Sequence, residues 1–516
     1  MKKRMIAAML CAAMLTGMMS GCGETGAPEA SKTETLAETG GTESAKEKDK
    51  GKPAELQLVL YGEASNRMKE LSENELKDRL LEDLNIDLTL TYVPWSEYSG
   101  GKVDLMLASG ENFATYTDVK YTAQCASKGM LADLTEAAET CIPHLKEQVV
   151  PEAFDCFTID GKLYSVPIGS RPSSAEGYCV NVRQDLLEEV GMKEITSLED
   201  LEQFYDLCKE KHPDYVGYVN MGHFVKLFSY QTTDKNIEML DNINDDKALA
   251  FVNNSSDDDT VYSLYESEEF KKTAEITRRW YEKGIIPEYA LTNPSQLETD
   301  WNAGKAMMTF GNGTSVLGVS AQMKSMVPEA RTKVYFLGTG KPKIQLQPYN
   351  TAWLVSAEGQ ENAADYLRLF DYMQKDQETV DFLTYGVEGT DYKIENGRIE
   401  RISTDAIFDD WMLANKDFVH FDAAVTDEAI EEYRHWDDDA VVAKSLGFQF
   451  DVEPVKIQKA KLDSVVAEYG VPIMCGFVSY DDGYDTLLNK LKEAGIDEYL
   501  AEMQKQFTEF MASKAK

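Results

Sequence analysis

The sequence predicts an α/β protein with more than one domain, and three observations lead to that prediction. The chain has 516 residues, which is too long for a single hydrophobic core. Apolar residues alternate with other residues over 55–61 and 86–91, and leucines at helical spacing separate the two runs. This pattern is typical of a strand–helix–strand unit with parallel strands. Two more extended runs, within 160–167 and 178–182, flank a passage with neither helical nor strand periodicity. That passage fits either a hairpin on one sheet or a crossing between two domains, and we favour the crossing.

The first residues of the chain have the features of an export signal. Basic residues at positions 2–4 precede an apolar run over 6–15, and Ser20-Gly21 stands directly before Cys22. Small residues before a cysteine are typical of a lipoprotein cleavage site, so residues 1–21 are predicted to be a lipoprotein signal peptide. Cys22 would then carry the lipid and hold the protein at the extracellular face of the cell membrane. A plain secretory signal that is cleaved elsewhere is the alternative.

The stretch after the signal is expected to be a flexible tether. Residues 22–52 are rich in Gly, Ser, Thr, Glu and Lys, and Leu36 is their only large apolar residue. Such a composition buries too little apolar surface to order itself. No later stretch reaches the ~18 apolar residues that a spanning helix needs.

The charge of the chain excludes one class of function. Asp and Glu number 90 against 52 Lys and Arg, which gives a formal net charge of −38. Nucleic-acid binding requires clustered basic side chains that contact phosphates, and this balance argues against it. We interpret the acidity as a solvated surface rather than as a site for a particular partner.

The cysteines predict thiols rather than a disulfide framework. Cys11 lies within the signal, and Cys22 is assigned to the lipid. In a chain of this size, widely spaced cysteines in apolar surroundings are typical of buried free thiols. The residues concerned are Cys125, Cys141, Cys156, Cys179, Cys208 and Cys475. One disulfide among the first three stays compatible with the sequence.

Local patterns predict several further elements. Gly110 is placed to end a helix in the left-handed conformation, and Thr196 with Glu199 has the spacing of a capping box. The polar stretch 236–260 predicts an exposed insertion, and Trp280 lies on the apolar face of a predicted helix and is expected in the core. Ligands of α/β sheets bind beyond the carboxyl ends of strands.

Separated motifs along the chain share one family pattern. The crossing passage reads DGKLYSVPIG over 160–169 and YCVNVRQDLLEEVG over 178–191. The other motifs, in chain order, are YVPWSEY at 92–98, VDLMLASGENFATYTDV at 103–119, WNAGKAMMTF at 301–310, YGVEGTDY at 385–392 and LKEAGID at 491–497. Together they resemble bacterial extracellular solute-binding proteins of carbohydrate ABC transporters, in particular the group with the aldouronate-type lipoproteins.

The resemblance implies a two-lobed, periplasmic-binding-protein-like fold of class II with multiple hinge crossings. The first crossing would lie near Gly169 and the second within 338–350. Lobe 1 is predicted to comprise residues 53–172 and 349–403. Lobe 2 is predicted to comprise residues 173–340 and 404–516.

Sequence motifs for catalysis and metal binding were weighed against this interpretation. The five histidines lie far apart without the H-x-x-x-H spacing of a metal site. Gly338-Thr339-Gly340-Lys341 lacks the first glycine of a phosphate-binding loop, and the chain has no G-x-S-x-G elbow. No cofactor or metal is therefore expected. The many carboxylates leave a glycosidase pair open, because nothing in the sequence singles out two of them.

Aromatic residues near predicted strand ends are the first candidates for ligand binding. Sugar rings stack on aromatic faces, and their hydroxyl groups require polar partners in fixed directions. Tyr61, Trp95, Trp301 and Trp353 lie at predicted strand ends or in loops that would face the interlobe cleft. Core packing is the alternative for each tryptophan.

Polar candidates come from the loops between the motifs. Arg171 in the crossing passage would bind the carboxylate of a uronic acid, if the ligand carries one, and an interlobe salt bridge is the alternative. The family usually has Pro-Asp shortly after Gly110, where this chain has Phe113-Ala114-Thr115, so Asp118 would replace that acidic contact. Asn312 and Glu388 would meet ligand hydroxyls, with a structural turn and a solvated loop carboxylate as the respective alternatives.

The expected function is capture of an oligosaccharide outside the cell and its delivery to an ABC permease, by a protein that acts as a monomer. One alternative is a protein that binds peptides or other solutes on the same fold. A second is a surface glycoside hydrolase or lyase, and a third is a structural lipoprotein without a ligand.

Overall fold

Two mixed β-sheets, each covered by helices, organise the protein. The computed structural model describes residues 51–62, 64–94, 97–117, 119–168, 172–241, 247–319, 321–338, 340–345, 352–403, 405–413, 415–423 and 425–514. The strands are β1 Ala54–Tyr61, β2 Ile86–Val93, β3 Ala114–Thr117, β4 Thr158–Ile159, β5 Lys162–Leu163, β6 Ser165–Pro167, β7 Cys179–Arg183, β8 Val216–Tyr218, β9 Ile237–Met239, β10 Ala250–Asn253, β11 Tyr262–Ser263, β12 Ala306–Gly311, β13 Thr332–Phe336, β14 Ile344–Gln345, β15 Ala352–Val355, β16 Tyr392–Glu395, β17 Arg398–Arg401 and β18 Val441–Val442.

The α-helices lie in the connections between these strands and after the last strand. They are α1 Asn66–Leu71, α2 Lys77–Asp83, α3 Val103–Ser109, α4 Val119–Ser127, α5 Thr135–Cys141, α6 Pro143–Gln148, α7 Pro151–Asp155, α8 Gln184–Glu189, α9 Leu198–Lys211, α10 Phe224–Thr232, α11 Glu268–Lys283, α12 Ser295–Asn302, α13 Ala321–Met326, α14 Ala363–Tyr372, α15 Gln377–Tyr385, α16 Asp410–Leu413, α17 Asp427–Arg434, α18 Lys456–Val465, α19 Val471–Met474, α20 Tyr480–Ala494 and α21 Ile496–Lys514. Single π-helical turns join or precede some of these helices, at Ser72–Leu76, Tyr98–Lys102 and Val466–Gly470.

The first sheet gathers its strand ends at one edge. Its strand order is β2-β1-β3-β15-β6. Strands β1, β2 and β3 are parallel, and β15 runs antiparallel to both β3 and β6. The carboxyl ends of β1, β2, β3 and β6 therefore share one edge, and β15 begins there. We call this edge, which includes Tyr61, Val93, Thr117 and Pro167, the first edge.

The second sheet repeats this arrangement. Its order is β13-β7-β12-β8, with β8 and β12 parallel and β7 antiparallel to β12 and β13. The carboxyl ends of β8, β12 and β13 thus share the edge at which β7 begins. We call this edge, which includes Tyr218, Gly311 and Phe336, the second edge.

The chain passes twice between these two edges. It leaves the first edge after β6 and enters the second edge at β7, and it leaves the second edge after β13 and returns at β15. Residues 169–171 and 346–350 of the two predicted crossings lie outside the described residues, so the position of each crossing stays a prediction. These two connections therefore link strand ends at the first edge to strand ends at the second edge.

Each sheet has its own hydrophobic core. The core of the first sheet includes Leu58, Trp353 and Phe370, and the second sheet is covered on its two faces by clusters around Tyr178 and around Trp280. Ile407, Phe408, Met412 and Leu413 also pack in the first core. The predicted boundary at 403 assigned these four residues to lobe 2. This packing favours a boundary beyond Leu413.

Candidate functional site

A cavity of about 630 Å³ opens beside the second edge. Three residues after β8, one residue of β12 and the amphipathic helix α12 supply most of its lining. The lining residues are Val219, Asn220, Met221, Lys247, Ala290, Leu291, Pro294, Leu297, Glu298, Trp301, Thr309 and Val471. Ligand sites of small molecules fall in this range of volume, and they combine apolar walls with a few polar groups.

Trp301 occupies this cavity because of the turn that follows it. The indole is half-buried near the end of α12, and the turn at Gly304 then leads into β12. Gly304 has a φ of 69°, and a Cβ atom there would lie 2.5 Å from a methyl group of Val327. Only glycine fits this close approach without strain. The WNAGK motif thus comprises a helix end, a glycine turn and the start of a buried strand, and its Trp301 side chain is half-buried in the wall of the cavity.

The polar lining of the cavity can meet hydroxyl groups. Asn220 accepts a hydrogen bond from the backbone N–H of Gly222 at 2.8 Å through its Oδ1, which leaves its NH2 group as a donor. Thr309 is half-buried, whereas Lys247 and Glu298 are exposed and supply one charge of each sign. Donors, acceptors and an apolar indole therefore line one concave surface.

A pair of tyrosines marks the first edge. Tyr61, at the end of β1, is half-buried and donates a hydrogen bond from its hydroxyl group to Asp409 Oδ2 at 3.2 Å. Its ring meets that of Tyr98 edge to face, with the centroids 6.2 Å apart. The hydroxyl of Tyr98 contacts Thr115 Oγ1 at 2.9 Å and donates to the carbonyl of Tyr116 at 3.0 Å. Both phenol rings are thus fixed before a ligand arrives.

The sequence places residues 92–98, which include Tyr98, after a predicted strand and therefore near a site, but it did not predict Asp409. Asp409 lies 348 residues from Tyr61, so no local spacing connects them. Tyr98 stands in a π-helical turn, Tyr98–Lys102, in which Gly101 has a φ of 94°. π-Helical turns occur frequently at functional sites, and the Gly100-Gly101 pair is the one local signal that marks this turn.

A buried ion pair supports the loop that carries Glu388. Arg67 donates two hydrogen bonds to the carboxylate of Asp391, at 2.9 and 2.7 Å. Asp391 is 2% exposed, and it also accepts from the backbone N–H of Val387 at 2.8 Å. The Arg67 guanidinium holds the pKa of the Asp391 carboxyl below its ordinary value. Glu388 itself is exposed on this loop.

A neutral histidine lies at the second edge. His223 stacks on Phe310 with the ring centroids 4.4 Å apart and is 8% exposed. Burial, aided by the nearby Lys226 charge, holds the pKa of His223 well below its ordinary value. Its imidazole is therefore uncharged at neutral pH, and it contributes to this edge a ring that stacks on Phe310 and retains one donor and one acceptor nitrogen.

The structure turns Trp353 away from the site. This residue of β15 is 0% exposed and stacks on Phe370 with centroids 5.8 Å apart, while Phe408 meets it edge to face. Both faces of the sheet are buried at this position, so the alternation of residues along the strand could not predict that Trp353 lies in the core. Trp353 is a core residue, which corrects its assignment to the cleft. Trp280 is 0% exposed and lies in the core as predicted.

The Asn312 side chain forms hydrogen bonds within its own turn. Its Oδ1 accepts hydrogen bonds from Ser315 N at 3.1 Å and from the Thr314 hydroxyl at 2.6 Å, and it caps the 3-10 helix Gly313–Leu317. This geometry favours the structural alternative for Asn312. The predicted ligand contacts Trp95, Asp118 and Arg171, and the lipidated Cys22, lie outside the described residues.

Other features of the described chain bear on function. The six described cysteines are free thiols, and five of them are buried. Within these residues, no three His, Cys, Asp or Glu side chains group into an arrangement that would hold a metal ion. No helix in the described ranges combines the length and apolarity required to cross a bilayer.

Comparison with known proteins agrees with this architecture. A crystal structure of an N-glycan transport solute binding protein from Streptococcus pneumoniae superposes with a TM-score of 0.74 at 23% identity, over 89% of this chain and 100% of that chain. An HMO-binding, ABC-transporter-associated solute binding protein from Bifidobacterium longum infantis gives 0.59 at 14% identity, over 89% and 99% of the two chains. The predicted two-lobed, class II binding-protein fold is therefore confirmed.

The sequence comparisons then identify the family. Residues 75–385 match the family described as bacterial extracellular solute-binding protein, and residues 444–512 match a domain of unknown function. A carbohydrate ABC transporter substrate-binding protein from Streptococcus pneumoniae serotype 4 is 24% identical over 489 residues, which cover 91% of this chain and 94% of that protein. The chain belongs to the bacterial extracellular solute-binding protein family, as its motifs indicated.

Proposed function

We propose that this protein captures an oligosaccharide between the two sheet edges and delivers it to an ABC permease. The cavity that exposes the Trp301 indole beside Asn220, Thr309 and Glu298 carries the proposal. An indole face stacks on the C–H face of a pyranose ring, and the polar groups pair with its hydroxyls. The relatives named for carbohydrate and N-glycan transport support the same ligand class.

The first edge supplies the opposing contacts. The Tyr61–Tyr98 pair offers a second aromatic surface, and the exposed Asp409 carboxylate offers acceptors for sugar hydroxyls. A ligand that touches both edges makes more contacts when the lobes close. It therefore shifts the population toward the closed state, which the permease would distinguish from the open one.

Binding in this proposal involves no covalent change of the ligand. The protein would act as a lipid-anchored monomer, with an acyl-bearing Cys22 and the tether 22–52 placing the binding lobes near the permease. If the ligand is a uronic acid, Arg171 is the residue we propose for its carboxylate.

The test is a calorimetric screen of the chain without residues 1–21, carrying Cys22→Ser, against oligosaccharides and peptides. We expect binding of at least one oligosaccharide, and a loss of affinity of about tenfold in Trp301→Ala, which corresponds to about 1.4 kcal/mol. Trp301→Phe is the matched control and retains most of the affinity, since a phenyl ring also stacks on a sugar.

Three results would overturn the proposal. Peptide binding without oligosaccharide binding would assign another ligand class to the fold. Release of smaller sugars during incubation would identify an enzyme. Full affinity in Trp301→Ala would place the ligand elsewhere.

A further inference from the structure

The C-terminal region that matches a domain of unknown function is not a separate module in this structure. Residues 444–512 include α18, α19, α20 and most of α21. Most of their buried side chains share one cluster with residues that precede them by more than 190 positions, such as Leu462 and Tyr499 with Tyr178 and Phe270. The region thus completes the core of the second lobe.

Close backbone contacts fix this region against α11. A Cβ atom at Gly476 would lie 2.2 Å from the carbonyl oxygen of Thr277, so only glycine allows the two segments to meet. Arg278 donates hydrogen bonds to the carbonyl groups of Gly476 and Phe477, at 3.2 and 3.3 Å. The middle of this region is therefore held against α11, whose buried residues share a cluster with Met221 and Trp301 of the cavity.

One residue of the region reaches the cavity itself. Val471 opens α19 directly after the π-helical turn Val466–Gly470, and it lines the cavity together with Met221 and Trp301. It is half-buried and packs against both clusters that cover the second sheet. The thiol of Cys475, one helical turn later, contacts the carbonyl oxygen of Met221 at 3.9 Å.

The turn before Val471 sets its position. A Cβ atom at Gly470 would lie 3.1 Å from the Tyr265 ring, which is closer than ordinary side-chain contacts. Gly470 therefore lets the chain lie against Tyr265, and the π-helical turn then directs Val471 toward the cavity. A π-helical turn re-aims the residues that follow it, and such turns are frequent at functional sites.

We propose that residues 444–512 contribute to the ligand-binding site and that Val471 limits the size of the substituents on the sugar ring that fits beside Trp301. This inference rests on the proposed carbohydrate-binding function and extends it to a region without an assigned role. A larger side chain at position 471 fills space in the cavity, and a smaller one leaves room for bulkier ring substituents.

The test compares Val471→Phe with Val478→Phe, using the tightest-binding oligosaccharide from the screen of the wild-type chain. Val478 lies in the same region but is 37% exposed and does not line the cavity. We expect Val471→Phe to weaken binding at least tenfold and Val478→Phe to leave it unchanged, with both variants melting near the wild-type temperature.

Two further variants keep the inference testable if Val471→Phe does not fold. Val471→Ala removes volume without overpacking, and we expect it to raise the affinity for acetamido sugars relative to their hydroxyl counterparts by threefold or more. In Val471→Cys, bound oligosaccharide should slow alkylation of the new thiol by iodoacetamide, measured on the peptide by mass spectrometry. The thiol of Val478→Cys should react equally fast with and without ligand.

The outcomes separate the two proposals. This inference would be overturned if the wild-type chain binds oligosaccharide, Val471→Phe binds it with unchanged affinity, and bound oligosaccharide does not protect the thiol of Val471→Cys. That result would leave the proposed carbohydrate function intact. Absence of oligosaccharide binding by the wild-type chain would overturn the proposed function, and this inference with it.

Discussion

Trp353 and Trp301 show that residue type does not decide function in this protein. Both were predicted at the cleft, but Trp353 is enclosed by Phe370 and Phe408. We expect Trp353→Ala to lower the free energy of unfolding by about 3–5 kcal/mol, because it leaves a cavity in the first core. Urea denaturation measures this loss. Ligand affinity of the folded variant should stay near that of the wild type.

Trp301→Ala is the matched comparison for this substitution. The half-buried indole of Trp301 faces a cavity that already exists, so its removal should reduce affinity and cost little stability. If Trp353→Ala abolished binding without loss of stability, its assignment to the core would be wrong.

The Arg67–Asp391 pair predicts a pH dependence of stability. The guanidinium lowers the pKa of Asp391 in the folded chain, so the folded state favours the ionised carboxylate more than the unfolded state does. The resulting stabilisation is complete above the unfolded pKa, about 3.9, and is lost as the pH falls through the lowered folded pKa. Wild-type stability should therefore decline below about pH 4.

Asp391→Asn removes this contribution at every pH. We expect the variant to be about 3 kcal/mol less stable than the wild type at pH 7, because Asp391 is buried and paired on both sides, and we expect the difference to shrink below about pH 4. Denaturation curves at several pH values measure it. Glu70→Gln, which changes the exposed partner of Arg67, should have a small effect, and a pH-independent deficit in Asp391→Asn would contradict the electrostatic origin.

At the scale of the element, the N-terminal cap of helix α9 allows a test of the capping-box pattern. Ser197 accepts a hydrogen bond from the backbone N–H of Asp200 at 3.1 Å, and Asp200 accepts from the N–H of Ser197 at 3.0 Å. We expect Ser197→Ala to lower the free energy of unfolding by about 1 kcal/mol. Ser197→Thr retains the acceptor and should stay close to the wild type. Equal stability of all three chains would show that the cap contributes nothing.

This cap also shows how far sequence patterns reach. Thr196 with Glu199 was predicted as the capping box, but the box consists of the next pair, Ser197 and Asp200. Both pairs have the same spacing, and only the packing of the buried face from Leu198 onward selects between them. By contrast, Gly110 ends α3 with a φ of 76°, as predicted, because a glycine after an apolar helix gives an unambiguous signal.

Elements that depend on distant contacts could not be predicted in this way. The polar stretch 236–260 was expected to be an exposed insertion, but its short apolar runs form β9 and β10, and Phe251 is 0% exposed in the second core. Asp409 at the first edge and Val471 at the cavity lie far in sequence from the residues they accompany. The motifs predicted the fold and named Trp301 as a candidate, whereas the tertiary partners required the structure.

At the scale of the whole molecule, hydrogen bonds around Asp437 connect the segments that run between the lobes. Asp437 accepts hydrogen bonds from the backbone N–H groups of Ser173 and Ser174, both at 2.9 Å, and from the Ser174 hydroxyl at 2.5 Å. The indole of Trp436 donates to the carbonyl of Ser174 at 3.0 Å. These hydrogen bonds thus connect the end of the first crossing to the segment that precedes β18.

The second crossing joins the same point. Gln345 donates a hydrogen bond to the Ser173 hydroxyl at 2.9 Å and forms a β-bridge with Ser174, and β14 pairs with β18. Ser174 is 0% exposed, so its hydrogen-bonding groups have no access to water as a replacement partner. Asp437 and Gln345 therefore hold the second-lobe ends of both crossings together, and we expect this contact to limit the angles that the lobes can adopt.

We expect Asp437→Ala to widen the range of interlobe angles and to weaken ligand binding about threefold to tenfold. The ligand must then order a more variable pair of lobes, and that entropy opposes closure. Small-angle scattering without ligand should give a broader distance distribution, which narrows to the wild-type profile at saturating ligand. Asp438→Ala is the matched control, because this neighbour is exposed and bonds only to His435 among its described contacts. A variant with unchanged scattering and affinity, but lower stability, would show that Asp437 serves folding and does not govern the motion of the lobes.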